Sequence, residues 1–118
     1  MSFDAVADVD IDPKGRFKYI LVKVFKDDDL KNFKYIVRGY LRAGYHGDVL
    51  EEVEPGIRKA GLDVFCTGGG RIEHDPTAKT LKVYGHSTGY GKADHEISVE
   101  ILKKKYPEYN ITCSDDGY

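Results

Sequence analysis

At 118 residues the chain has room for one domain with a modest core, and its 41% hydrophobic and 32% charged residues belong to a folded globular protein, not a disordered one. A formal net charge of −2 gives no bulk attraction to nucleic acid or to an anionic membrane, and no apolar run has the length of a transmembrane helix. The opening "MSFDAVADVDIDPKG" carries four aspartates and no apolar signal core, and Cys66 and Cys113 are the only cysteines, so the expectation is a cytoplasmic chain with reduced thiols.

Taken in order, "VADVDI" alternates as a short strand and "DPKG" closes it as a turn. "RFKYILVKVF" puts Phe17, Tyr19 and Leu21 on one face and then turns nearly all apolar, as a central strand does. "KDDDLKN" reads as a charged loop, and "FKYIVRGY" as a strand ending at Gly39. A helix pattern starts near His46, with Val49, Leu50, Val53, Ile57 and Ala60 near one stripe. Pro55-Gly56 interrupts it, so a kink or two short helices are expected. "LDVFCTGGGRIEH" is a strand with a glycine defect, and "DPTAKT" a hairpin turn into "LKVYG". The last helix stacks Ile97, Ile101 and Leu102 and stops before Pro107, and "YNITC" supplies a final strand. The fold class expected is α+β: one domain over residues 1–118, with a mixed sheet of about six strands and helices packed on it.

Several places carry chemistry. His46, between Tyr45 and Gly47 at a helix start, would feel the positive end of the helix dipole; it is either a neutral base or a plain surface histidine. In "TGGGRIEH", three glycines imply either a bulge or a close approach, and Arg71 follows with a planar fork suited to phosphate. "YGHSTGYG", residues 84–91, joins a strand to a helix through three glycines. It is not a Walker loop: His86 stands where the first glycine belongs, and Ala93 where Ser or Thr does. An anion cradle built from the Ser87 and Thr88 hydroxyls and backbone N–H groups fits the composition, and so does a flexible joint. His46, His74, His86 and His95 show no metal-ligand spacing, so neither a metal nor any other cofactor is expected.

The segments "DVDIDPKGRFKYILVKV", "YIVRGY", "YHGDV", "GGGRIEH", "VYGHSTGYGKADHEIS", "KKKYPEY" and the terminal "DDGY" together resemble the small phosphohistidine phosphatases of the Janus/Ocnus family, over nearly the whole chain and in the same order. The resemblance implies a single α/β domain and a metal-independent phosphatase acting on phosphohistidine in proteins, with phospholysine hydrolysis also known in the family. It puts the catalytic histidine at His46 and the phosphate-binding lysine at Lys18. The family's arginines fall on Arg38 and Arg71, and its phosphate loop on Ser87, Thr88 and Gly89. Tyr45 and His86 complete the substrate- and phosphate-binding set expected, and His86 departs from a tyrosine familiar at its position. Partners implied are phosphohistidine-containing proteins, with no nucleic acid and no membrane, met by a monomer.

Physically, Gly85, Gly89 and Gly91 would let successive N–H groups turn inward, and a substitution such as Gly89→Val is expected to block the turn. Lys18 supplies a compact charge, Arg38 and Arg71 shape the positive field, and a neutral His46 orients and deprotonates water. Two other classes use the same residues: a phosphoprotein-binding module without turnover, and a phosphatase with His46 as covalent nucleophile.

Overall fold

A computed structural model describes residues 3–26 and 29–114; the terminal "DDGY" lies outside the described residues. After a short 3-10 turn at Phe3–Ala5, the chain forms β1 (Val9–Ile11), β2 (Gly15–Lys26), β3 (Asp29–Tyr40), α1 (His46–Lys59), β4 (Asp63–Asp75), β5 (Thr80–Tyr84), α2 (His95–Lys105) and β6 (Asn110–Cys113). One six-stranded sheet has the order β1-β3-β2-β4-β5-β6. The outer pairs β1/β3 and β5/β6 are parallel and the inner pairs antiparallel, so the sheet is mixed and the class α+β.

Strand alternation divides the core in two. Phe17, Tyr19 and Leu21 of β2 pack with Val37, Ile72, Val83 and the α2 residues Val99 and Leu102. The intervening Ile20, Val22 and Val24 pack on the other face with Ile36 and the α1 residues Val49 and Ile57. Each helix covers one face, and β2 is central because both of its faces are buried.

Several expectations shift at their edges. Part of the charged stretch before Phe33 is strand, since β3 begins at Asp29 and its end is Tyr40, not Gly39. The proline does not divide the first helix: α1 is one 14-residue helix with Pro55 inside it. Val49 and Ile57, buried on either side of Pro55, hold both halves to the sheet and outweigh the hydrogen bond that the proline cannot donate. The hairpin at Pro76–Lys79 forms as expected, with the Asp75 carboxylate accepting from the N–H groups of Thr77 and Ala78.

The glycine run resolves into both readings of it. Leu21 pairs Gly68 and Val22 pairs Cys66, so Thr67 is the extra residue of a bulge, its hydroxyl donating to the Leu21 carbonyl at 3.0 Å. The three glycines also admit close neighbours. A Cβ on Gly68 would lie 2.6 Å from the Ala93 nitrogen, and one on Gly69 would lie 2.6 Å from Cδ2 of His46. The strand gives up side chains here so that the segment before α2 and the start of α1 can touch its backbone.

Candidate active site

His46 is the first residue of α1. The Asp48 carboxylate accepts from the N–H of Tyr45 at 2.9 Å, which pins the helix start. His46 is buried, 7% exposed, its ring lying over Gly69, and its Nε2 is 2.9 Å from the Gly70 carbonyl. A carbonyl only accepts, so Nε2 carries the proton and the lone pair of the neutral ring is on Nδ1. Burial holds the pKa of His46 below its ordinary value of 6.5; Lys18, Arg71 and His86 depress it further, against the opposing pull of the Gly70 carbonyl.

Lys18 of β2 is on the same face as Ile20 and Val22, hence on the α1 side of the sheet. Its partners across the strands are Tyr40 and Arg71, and Arg71 in turn pairs Tyr84. Two cations directly opposite one another on neighbouring strands repel. An anion between them turns that repulsion into attraction.

The segment after β5 folds on itself. Ser87 N–H bonds the Gly91 carbonyl and Gly91 N–H bonds the Ser87 carbonyl, at 3.0 and 2.8 Å. The Ser87 hydroxyl oxygen accepts from the Tyr90 N–H at 3.1 Å, and Ser87 is 3% exposed. Gly69 and Ala93 bond the same segment to β4. Among the described residues none takes up the N–H groups of Thr88 and Gly89, which remain at the exposed tip. The segment is therefore an ordered loop, not a floppy joint. Gly85 and Gly91 have φ of 78° and 85°, the left-handed values that glycine supplies; Gly89 is not among the positive-φ residues, and a Cβ there would meet nothing within 4 Å. The expectation that Gly89 is the sterically critical glycine passes to Gly91.

These pieces border one cleft of about 420 Å³, lined by Lys18, Gly44, Tyr45, His46, Gly47, Ser87, Thr88, Gly89 and Tyr90. Tyr45 is 76% exposed on its rim. Arg71 and His86 are outside the lining but act on His46 through their charge. Arg38 does not join the group: it is 5% exposed and donates to the carbonyls of Val37 and Ala7 at 3.0 and 2.7 Å, tying β3 to the segment before β1. Tyr90 and Gly44 also line the cleft, and a lone tyrosine or glycine in a turn carries no signal of its own in the sequence; Gly47, second residue of α1, lines it beside His46. Another cleft, of about 400 Å³, is lined by Lys14, Arg16 and Lys82 together with Glu73 and Asp75, so its cations stand beside carboxylates. Among the described residues, no three His, Cys, Asp or Glu side chains converge as metal ligands, and no helix is long and apolar enough to cross a membrane.

The family model described as the Janus/Ocnus family matches residues 3–110. The chain belongs to the Janus/Ocnus family. Among relatives of this Janus/Ocnus chain, the sex-regulated protein janus-A of Drosophila pseudoobscura pseudoobscura is 52% identical, over 93% of the chain and 76% of the relative. The 14 kDa phosphohistidine phosphatase of Sus scrofa is 46% identical, over 96% of the chain and 93% of the relative. The sex-regulated protein janus-A of Drosophila melanogaster is 47% identical, over 100% of the chain and 88% of the relative.

Proposed function

We propose that this Janus/Ocnus chain is a protein phosphohistidine phosphatase, which moves a phosphoryl group from a histidine nitrogen of a protein substrate to water. The observation that carries the reading is the single cleft bordered by Lys18, His46 and the tip amides of Thr88 and Gly89, in a chain 46% identical to a phosphohistidine phosphatase. In this reading the phosphoryl oxygens meet the Lys18 ammonium, the N–H groups of Thr88 and Gly89 and the Ser87 hydroxyl, whose hydrogen remains free to donate while its oxygen accepts from Tyr90. Arg71 and His86 add to the positive field, and Tyr45 walls the rim where the substrate protein approaches.

Water attacks phosphorus in line with the P–N bond, and Nδ1 of His46 takes its proton. The P–N electron pair leaves with the substrate nitrogen, which takes a proton from solvent, and His46 returns its own proton to solvent. The sum is phosphohistidine plus water giving histidine plus phosphate; phospholysine, with the same bond type, is the second substrate class. The P–N bond is labile by nature and the site's cations neutralise charge, so the reaction runs without a metal. All these residues come from one chain, so a monomer is the working unit, and two free thiols suit a cytoplasmic setting. The deciding experiment is phosphate release from chemically phosphorylated histidine, lysine and tyrosine substrates by the wild type and by His46→Ala. Binding without release in the wild type would make the chain a phosphoprotein reader instead.

A further inference from the structure

Behind His46, on the other side of the sheet, lies a buried polar group for which the hydrolysis has no use. Tyr19 and Ser98 are fully buried and His95, the first residue of α2, is 4% exposed. Tyr19 Oη is 2.6 Å from His95 Nδ1 and 2.9 Å from Ser98 Oγ, and His95 Nε2 is 2.9 Å from the Gly85 carbonyl. The carbonyl can only accept, so the proton of the neutral ring is on Nε2. Nδ1 then only accepts, the Tyr19 hydroxyl donates to it, and Ser98 donates to the tyrosine oxygen. Every hydrogen bond thereby has a direction, from Ser98 through Tyr19 and His95 to Gly85. Burial pushes the Tyr19 pKa up, which keeps its hydroxyl a donor.

What this chain of bonds touches belongs to the cleft. Gly85 is the first residue of the loop that bears Ser87, Thr88 and Gly89, and its φ is 78°. Gly70, whose carbonyl holds the Nε2 proton of His46, has His95 against it: a Cβ on Gly70 would lie 2.7 Å from Cε1 of His95. Tyr19 is the neighbour of Lys18 on β2. His46 and His95 thus begin the two helices and meet adjacent glycines of β4 from the two faces of the sheet, His46 over Gly69 with its Nε2 on the Gly70 carbonyl and His95 against Gly70.

We propose that His95 is a positioning residue for the site: through its Nε2–H tautomer, which leaves Nδ1 to accept from Tyr19, it holds Gly85 and so sets the 85–91 loop in its ligand-ready shape. Its bearing on catalysis rests on that loop being the phosphate cradle proposed above; its hold on the loop does not. Three variants test it. His95→Leu keeps bulk and removes both polar contacts, His95→Gln keeps an N–H for Gly85, and Tyr19→Phe removes only the hydroxyl. For His95→Leu, exchange of the Ser87 and Gly91 amides should rise about tenfold or more relative to those of β5, and inorganic phosphate affinity should fall about tenfold, as expected for a stranded buried carbonyl. KM should rise more than kcat falls. His95→Gln should recover to within about threefold of wild type, with Tyr19→Phe between the two. Imidazole ¹⁵N shifts of the wild type should show His95 protonated on Nε2. A folded His95→Leu protein with unchanged loop exchange, or a wild-type His95 protonated on Nδ1, overturns the proposal. If His95→Leu does not fold, Tyr19→Phe decides, and unchanged loop exchange there overturns it. A wild type whose loop amides ignore phosphate defeats the phosphatase reading, while the exchange comparison still decides the role of His95.

Discussion

At the scale of single residues, His46 carries the sharpest predictions. Burial and the charges of Lys18, Arg71 and His86 favour its neutral form, so its pKa in the folded protein is below the unfolded value of about 6.5. A base must be neutral to act, so kcat/KM should rise with pH through that lowered pKa in acid solution and be level at neutrality. The same shift affects stability: the unfolded chain binds the proton more readily, so the contribution of His46 is full above about pH 6.5 and is lost as pH falls through the folded pKa. Urea midpoints measured across that range, wild type against His46→Ala, check the sign. Replacing His46 by Ala should lower turnover by about 10²- to 10⁴-fold, the usual worth of a positioned base, while phosphate affinity survives at Lys18 and the loop. Rapid quenching in alkali separates base from nucleophile, since phosphorylated His46 forming and decaying at the turnover rate would assign Nδ1 a covalent role. Gly69→Ala tests the ring's seat. Its Cβ would come within 2.6 Å of Cδ2 of His46 and drive the ring off Gly70; a displacement near 1 Å should cost about 10²-fold in kcat in a protein that still folds.

The loop and the helix that follows His46 act as elements. Phosphate titration should move the amide signals of Thr88 and Gly89 most, because the N–H groups of Ser87, Tyr90 and Gly91 are already taken within the loop. Gly91→Ala should weaken phosphate binding about tenfold by forcing a side chain into left-handed φ, a cost of about 1–2 kcal/mol, whereas Gly89→Ala should change it less than about twofold. The reverse ranking would mean that the loop binds phosphate in another shape. In α1, Pro55→Ala restores a backbone donor within a helix anchored on both sides. Thermal unfolding should show a gain of about 1–3 kcal/mol, reduced by the extra freedom that alanine gives the unfolded chain.

For the whole molecule, a net charge of −2 coexists with a cationic cleft because a field is local. Lys18 and Arg71 face each other across β2 and β4, while many of the carboxylates pair elsewhere, as Glu52 does with Arg42 and Glu54 with Arg58. Lys18→Ala should therefore raise KM and remove much of the salt dependence of substrate binding, measured between low ionic strength and about 0.15 M. Exhaustive chelation should leave activity unchanged; a large loss restored by magnesium or zinc would overturn the metal-free reaction.

Periodicity alone yielded nearly every element, the mixed sheet and the α+β class, because the alternation of β2 and the stripe of α1 are local consequences of which faces are buried. The position of His46 at a helix start was legible for the same reason, and so were the loop glycines as a group. Which glycine is constrained was not, since φ at Gly89 and Gly91 depends on the Ser87–Gly91 hydrogen bonds. Pro55 misled because helix propensity is local, while Val49 and Ile57 anchor the helix through the core. The family resemblance alone put Arg38 among the site cations; its place in the fold was decided by β1 lying beside β3, which brings the Ala7 carbonyl to it. Tyr19, Ser98 and His95 carried no joint signal at all. They are separated by up to 79 positions and meet only because α2 packs on the face of the sheet where Tyr19 points, a long-range contact that no pattern of neighbouring residues encodes.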